Sequence, residues 1–217
     1  MSVAKAMAEL LAALQRRHVP PNHSCLFTSF AYLCEDLDAE NDAALRSASR
    51  RLREVCAAAV KADPEPDTRA ALLGVESVDA YAAWIANDHH WGGEPELLML
   101  AEHFNVAVSL ASCETNRLLH YAPASGEPPN RIWLLYTGQH YDPLVGADGA
   151  RRLDAGADEA RGAAALEIAA QHTAEAARRA AEKRVKKLKC GGCGALLADG
   201  IAFQAHCAEV EHDDDFG

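Results

Sequence analysis

The sequence predicts an α/β domain at residues 1–147, followed by an alanine-rich helical linker at 148–188 and a compact Cys/His segment at 189–217. Three observations lead to this division. Apolar residues recur at helical spacing up to about residue 104 and then alternate at strand spacing. Alanine fills 13 of the 27 residues from 155 to 181, and the last 29 residues concentrate cysteine and histidine.

The helices of the first domain precede its strands. We expect helices at 3–18, 25–36, 42–62, 78–86 and 94–104, and strands at 106–110, 117–121, 132–136 and 139–142. Pro20 ends the first helix, and Ser24 can cap the second. The run 132–136 is continuously apolar, which is typical of a central strand covered on both faces. The alanine-rich helix, with interruptions expected near Gly156 and Gly162, is expected to link rather than to form a core.

The composition argues against several classes of protein. The 217 residues carry 21 Lys and Arg against 32 Asp and Glu, and this net charge of −11 argues against a protein that lives on nucleic acid. No apolar stretch is long enough to span a bilayer and the N-terminus lacks a secretory core, so we expect no membrane partner. Seven cysteines without a secretion signal indicate thiols in a reducing compartment. We therefore expect the cytoplasm, with the nucleus as a second location.

The C-terminal segment has the spacing of metal ligands. Cys190 and Cys193 are separated by two residues, and His206 and His212 follow after a further twelve and five, as in a two-Cys, two-His zinc site. Because 29 residues cannot bury enough surface alone, the sequence predicts one structural zinc ion. Cys207 is a competing ligand, and a tail with chance cysteines and histidines is the alternative. The candidates for a small core are Leu196, Leu197, Ile201 and Phe203.

The charges around this segment favour one kind of partner over another. Glu209, Glu211 and the acidic residues 213–215 would face phosphates badly, which favours a protein-binding finger. A basic run from Arg178 to Lys189 could still contact RNA or DNA. A nucleic-acid-binding finger protein therefore stays an alternative.

Three residues in the first domain have the chemistry of nucleophilic catalysis. Cys25 lies at a predicted helix start, where unpaired N–H groups and the helix dipole favour a thiolate. His140 and Asp142 are two residues apart on a predicted strand and therefore share a face. Nucleophile, base and orienting acid are the parts of a Cys-His-acid site. Each also has a plain alternative, namely a buried helix cysteine and an edge-strand histidine beside a solvated aspartate.

Three segments in fixed order resemble one family. They are residues 22–27, which read NHSCLF, residues 91–97, which read WGGEPEL, and residues 136–144, which read YTGQHYDPL. Together they are similar to the ovarian-tumour (OTU) family of deubiquitinating cysteine proteases. The likeness is to its yeast-OTU-like branch, which also carries a C-terminal two-Cys, two-His finger.

This resemblance implies a papain-like α/β fold with a small twisted sheet between helical layers. It implies hydrolysis of the isopeptide bond after the C-terminal glycine of ubiquitin, through a thioester. Cys25 would be the nucleophile, His140 the base and then the acid, and Asp142 the orienting group. The implied partners are ubiquitin, polyubiquitin chains and ubiquitylated proteins.

Two departures from the family qualify these expectations. The family usually has aspartate three residues before the cysteine, where this chain has Asn22, which keeps the shape but loses the charge. A catalytically weak or inactive ubiquitin-binding module is therefore the alternative function. The branch often carries an N-terminal ubiquitin-like domain that docks an AAA ATPase. Only 24 residues precede Cys25, so we do not expect this domain, and a link to that ATPase pathway is implied by the family only.

Overall fold

The structure is a computed structural model that describes residues 13–38, 40–126, 128–154, 157–184, 188–198 and 200–209. The chain divides into two compact units, with the boundary between Ala170 and Gln171. The first unit contains helices and a mixed sheet, which confirms the predicted α/β class. The division into three parts at residues 147 and 188 stays a prediction.

The elements follow one another in an order close to the predicted one. The first unit contains β1 (Leu14–Arg16), α1 (Cys25–Cys34), α2 (Asp42–Lys61), α3 (Pro66–Leu73), α4 (Val78–Ala86), α5 (Glu94–Phe104), β2 (Ala107–Ser112), β3 (Arg117–Tyr121), β4 (Asn130–Tyr136), β5 (Tyr141–Gly146) and β6 (Leu153–Asp154). Helix α6 (Asp158–Arg184) crosses the boundary, and the second unit also contains β7 (Leu188–Lys189), β8 (Leu196–Leu197) and α7 (Gly200–Glu209). Helix α3 was not expected. It begins at Pro66, where the missing N–H costs nothing, and ends at Gly74, whose φ is +65°.

The sheet of the first unit has the strand order β1-β5-β4-β2-β3, and β6 also pairs with β4. Strands β2 and β4 are parallel, with Leu110 beside Leu134, and the remaining pairs are antiparallel. Strand β4 is central, as predicted, and its side chains from Ile132 to Leu135 are fully buried. Its alternate residues therefore contribute to cores on both faces of the sheet.

The first strand corrects the prediction of a helix at 3–18. Residues 1–12 lie outside the described part of the chain, but Leu14–Arg16 form β1, which pairs with β5 in the register Leu14 to Gly146 and Arg16 to Leu144. Local apolar spacing favoured a helix. Pairing with an otherwise unpaired strand edge satisfies backbone groups that a short helix end would leave open.

Helix α6 corrects a second expectation, because its first half is part of a core. Ala165 and Ala169 are fully buried and pack in one cluster with Trp133 and Leu135 on one face of the sheet. The helix continues without interruption through Gly162, where an added Cβ would lie 2.8 Å from Leu118 Cδ1. Small residues here let the helix approach the sheet closely.

A larger core covers the other face of the sheet. Phe27 and Phe30 of α1, Leu52 of α2 and Leu100 of α5 pack in one cluster with Ile132 of β4. This packing fixes α1 against the sheet along its whole length, since every residue of α1 is buried. Among the described residues, no helix is both long enough and apolar enough to cross a bilayer.

The core role of α6 can be tested by enlarging one buried alanine. We expect Ala169→Leu to destabilise the protein by about 1–3 kcal/mol, because a well-packed core must shift to admit three extra carbons. Ala163→Leu is the matched control, since Ala163 lies on the exposed side of the same helix. Urea unfolding midpoints of the full chain measure both changes. Equal midpoints for the two variants would show that α6 does not pack on the sheet.

Candidate active site

Cys25 is the first residue of α1 and is 1% exposed. In the preceding loop the Asn22 N–H donates to the Pro20 carbonyl (2.9 Å) and the Cys25 N–H to the Asn22 carbonyl (3.3 Å). The first helical bond runs from the Thr28 N–H to the Ser24 carbonyl (2.8 Å). The thiol therefore sits at a helix N-terminus, where N–H groups and the dipole stabilise negative charge. The predicted position of Cys25 at the start of a helix is confirmed.

His140 and Asp142 lie together at the start of β5. His140 immediately precedes the strand, and its Nε2 is 3.1 Å from Asp142 Oδ1. The hydrogen bond with Asp142, and then the contact with Cys25, raise the pKa of His140 to about 9. Nδ1, the other ring nitrogen, is buried and makes no hydrogen bond within the described residues. At neutral pH the ring is therefore an imidazolium between a carboxylate and a sulfur.

Asp142 is a fully buried carboxylate that is satisfied from several directions. Arg16 donates to Oδ2 through Nε (2.8 Å) and Nη2 (2.6 Å), and the Val19 N–H donates to Oδ1 (3.0 Å). Burial works against ionisation of Asp142, but the hydrogen bonds from His140, Val19 and Arg16 outweigh it and hold its pKa below the usual range. Asp142 is therefore ionised at neutral pH, and its negative charge lies next to His140.

Sequence reasoning missed Arg16 and the Val19 amide. Both belong to a segment that was expected to be helical or to lie just after a helix, and nothing local pairs them with Asp142, more than 120 residues away. Only the pairing of β1 with β5 brings them together. A prediction that residues 14–16 pair with the strand of Asp142 is the signal that could have identified Arg16.

Asn22 shapes the loop before the cysteine. Its side-chain Oδ1 accepts a hydrogen bond from the Ser24 N–H (2.8 Å), and its carbonyl accepts one from the Cys25 N–H (3.3 Å). A neutral amide can accept the Ser24 N–H as well as a carboxylate can, and the bond to the backbone carbonyl does not depend on the side chain. The loop before Cys25 is therefore held by a neutral side chain.

A cleft of about 440 Å³ adjoins His140. It is lined by Trp91, Gly92, Gly93, Tyr136, Gly138, Gln139 and Tyr141. Gly92 lies against α1, where an added Cβ would be 2.8 Å from Phe27 Cε2, so only glycine allows this close approach. Glu96 anchors the segment, since its carboxylate accepts the Gly93 N–H at 2.7 Å. One wall of the cleft is therefore nearly bare backbone.

The second unit brings three of the four predicted metal ligands together. The ligand atoms of Cys190, Cys193 and His206 lie within 4.8 Å of one another, and Cys193 Sγ is 3.2 Å from His206 Nε2. The two cysteines flank the turn between β7 and β8, and His206 lies on α7. Backbone N–H groups of Cys193 and Gly192 lower the pKa of the Cys190 thiol to about 6. His212 lies outside the described residues.

These thiols and imidazole fit a tetrahedral zinc site, whose ligands are thiolate sulfur and histidine nitrogen. The predicted small core is wrong in part, because Leu196 and Ile201 are 62% and 81% exposed. None of the residues of α7 is buried. A module with so little apolar burial of its own depends on a cross-link such as a metal ion.

A thiol at a helix N-terminus beside a histidine held by a carboxylate is the arrangement of a cysteine protease. The sequence pattern described as OTU, OTU-like cysteine protease, matches residues 20–142, which is more than half of the chain. The chain belongs to this family.

Relatives of known name agree with this assignment. Ubiquitin thioesterase OTU1 of Danio rerio is 30% identical over 209 residues, which is 94% of this chain and 66% of the relative. OVARIAN TUMOR DOMAIN-containing deubiquitinating enzyme 2 of Arabidopsis thaliana is 33% identical over 130 residues, covering 60% of this chain and 57% of the relative. The chain thus spans less than two thirds of the length of these relatives.

The fold is shared with a solved OTU domain in complex with ubiquitin. That structure superposes with a TM-score of 0.63 at 24% identity, and the match covers 75% of this chain and 88% of the other. The predicted OTU-type α/β fold is therefore confirmed.

The charge state of His140 can be measured directly. Because Asp142 and Cys25 both stabilise the imidazolium, we expect a pKa of about 9, a fall in Cys25→Ala and a larger fall in Asp142→Asn. NMR titration of ring resonances, assigned with His140→Gln, measures this, and exposed His103 is the internal control.

The stability of the protein follows the same titration. The pKa of His140 is raised above its value of 6.5, so its contribution to stability is fully present below about pH 6.5 and is lost as the pH rises through about 9. The destabilisation caused by His140→Gln should shrink over this interval. A His140 pKa near 6.5 in the parent would contradict the ion-pair arrangement.

Proposed function

We propose that this chain is a deubiquitinase, a cysteine-dependent hydrolase that cleaves the isopeptide bond after the C-terminal glycine of ubiquitin. The observation that carries the proposal is the contact of Cys25 with His140, whose ring is held by the buried Asp142. The names of the relatives, ubiquitin thioesterase and deubiquitinating enzyme, supply the substrate class.

The reaction begins with the Cys25 thiolate attacking the carbonyl carbon of the C-terminal glycine. The carbonyl oxygen becomes an oxyanion, which the N–H groups at the start of α1 and in the preceding loop can stabilise. His140 then gives its Nδ1 proton to the departing lysine amine, and the C–N bond breaks. The product is a thioester between Cys25 and ubiquitin.

The second half regenerates the enzyme. His140, now neutral, takes a proton from a water molecule, which attacks the thioester carbon. The C–S bond breaks, ubiquitin leaves as a carboxylic acid that gives its proton to solvent water, and the imidazolium again faces a thiolate. Asp142 keeps the ring oriented through both halves, because its bonds to Arg16 and Val19 hold it in place.

The cleft beside His140 suits the end of a polypeptide with small residues. Gly92 and Gly93 line the cleft without side chains, so an extended tail ending in glycine can lie against their backbone. Bulkier C-terminal residues would meet Trp91 and Tyr141. The cleft thereby supports specificity for a glycine next to the bond that is cut.

A ubiquitin molecule with a C-terminal electrophile tests the proposal. We expect covalent capture at Cys25 in the parent and in Cys113→Ala, and no capture in Cys25→Ala. Mass spectrometry locates the adduct. In cleavage of differently linked di-ubiquitins, His140→Ala should lower the rate by roughly 10²–10⁴-fold.

The same experiment distinguishes the alternative function. Tight binding of ubiquitin without an adduct would indicate a binding module. The neutral side chain of Asn22 is the observation that raises this alternative. Asn22→Asp then shows whether the missing charge limits the rate, since the loop hydrogen bond from Ser24 is available to either side chain. A rise in cleavage rate with unchanged ubiquitin affinity would locate the limit in chemistry.

We propose further that the second unit holds one structural zinc ion through Cys190, Cys193, His206 and His212. The first three ligand atoms are already close together. When bound, zinc would cross-link the β7–β8 turn to α7. The finger is proposed to contact a protein partner, because acidic residues such as Glu209 near the end of α7 disfavour phosphate binding.

Metal analysis of the full chain tests the zinc site. We expect one zinc per chain in the parent, and loss of zinc in Cys193→Ser and His206→Ala. His212→Ala should also lower the zinc content, since it likewise removes one of the four proposed ligands. His172→Ala is the control, because His172 lies outside the ligand set. A parent without zinc, or an unchanged zinc content in Cys193→Ser, would contradict the proposal.

The cellular setting is also a proposal. The cytoplasm, with the nucleus as a second location, suits a protein that needs Cys25 as a thiol and two further thiolates as metal ligands. Polyubiquitin chains are the proposed natural substrates, and the link to an AAA ATPase pathway is by family only.

A further inference from the structure

Arg53 is a fully buried arginine in α2, on a helix face otherwise formed by residues such as Leu45, Leu52, Cys56 and Val60. Each of its three side-chain nitrogens donates to oxygen. Nε donates to Ser24 Oγ (3.3 Å), Nη1 to the carbonyls of Ile85 and Asn87 (3.0 Å each), and Nη2 to Ser24 Oγ (3.0 Å) and to the carbonyls of His23 (2.9 Å) and His90 (2.6 Å). The guanidinium also lies 4.2 Å above the Phe27 ring.

These bonds join two segments that border the active site. His23 and Ser24 directly precede the nucleophile Cys25. Residues 85–90 end α4 and lead into Trp91 and Gly92, which line the cleft. One side chain thus ties the loop of the nucleophile to the segment that forms the cleft wall.

The peptide group between His23 and Ser24 is held at both ends. Its carbonyl accepts from Arg53 Nη2 (2.9 Å), and its N–H donates to Asn22 Oδ1 (2.8 Å). Because the peptide group is planar, these two bonds fix its rotation and with it the direction of the neighbouring amides. The loop that they orient directly precedes the nucleophile Cys25.

The acceptors of Arg53 indicate that it controls loop conformation. Burying a guanidinium is costly, and hydrogen bonds to polar groups offset that cost. None of the hydrogen bonds described for Arg53 goes to a carboxylate. They go to backbone carbonyls and a serine hydroxyl, which are the groups that define loop conformation.

We propose that Arg53 is a positioning residue for the cysteine protease reaction, which holds the loop before Cys25 in the conformation that stabilises the oxyanion. This inference rests on the proposed hydrolase function for its kinetic test. Arg53 acts through backbone groups of His23 and Ser24, and it does not touch the substrate.

Two reactions of Cys25 separate this role from a general loss of structure. Hydrolysis of a ubiquitin C-terminal coumarin amide passes through an oxyanion, whereas alkylation by iodoacetamide does not. We expect Arg53→Met to lower kcat roughly 10²-fold, as loss of oxyanion stabilisation does, while KM and the alkylation rate change by less than about threefold. Arg53→Lys should restore part of kcat, because it keeps the charge and three donors.

Arg161→Met is the matched control. Arg161 is also buried, at 4% exposure, and donates to the Asp154 carbonyl, but it lies on α6 with no contact to either loop among its described interactions. It should lower the unfolding midpoint and leave kcat within about twofold. Ser24→Ala, which removes two bonds without changing core volume, provides a test if Arg53→Met does not fold, and we expect a three- to tenfold loss of kcat.

Three results would overturn the proposal: an unchanged kcat in Arg53→Met, an alkylation rate that falls as much as kcat, or an equal loss of kcat in Arg161→Met. If the parent does not cleave the ubiquitin coumarin amide, the proposed function is wrong. Hydrogen exchange of backbone N–H groups then still tests whether Arg53 holds the two segments together. Exchange should then accelerate in residues 22–25 and 87–90 together in Arg53→Met and not in Arg161→Met. Unchanged exchange in either segment would contradict the inference.

Discussion

The buried carboxylate of Asp142 is the constraint on which the rest of the active site depends. A charge with no access to water must receive hydrogen bonds from protein groups, and here they come from Arg16, Val19 and His140. These donors belong to β1, to the segment after it and to the start of β5. The pairing of β1 with β5 and the orientation of His140 therefore both serve to stabilise the buried charge of Asp142.

Helix α1 completes that arrangement from the other side. The Ser29 hydroxyl donates to the Tyr141 carbonyl at 3.2 Å, which ties the helix to the strand that follows His140. Cys25 lies one turn earlier on the same helix. The distance between the Cys25 sulfur and the His140 ring is thus set by the packing of a buried helix on the sheet, and not by the short loop that precedes Cys25.

The parts of the site that the sequence predicted are those with local signals. Cys25 follows a proline-rich loop and opens an apolar helix, and His140 and Asp142 have strand spacing. Arg16 and Arg53 had no such signal, because their partners are far away in sequence. Arg53 lies three residues before Cys56 and seven before Val60 and therefore shares their helix face, but only the fold brings its backbone acceptors near it.

The position of β1 has a practical consequence for dissecting the chain into domains. The family pattern begins at residue 20, yet Arg16 and Val19 supply three of the hydrogen bonds to Asp142. At the other end, the pattern stops at residue 142, before the buried alanines of α6 that cover Trp133. A fragment cut at the limits of sequence similarity would keep every residue of the proposed triad and lose the groups that hold its acid charged. The segments that the active site needs therefore extend beyond residues 20–142, which the family pattern matches.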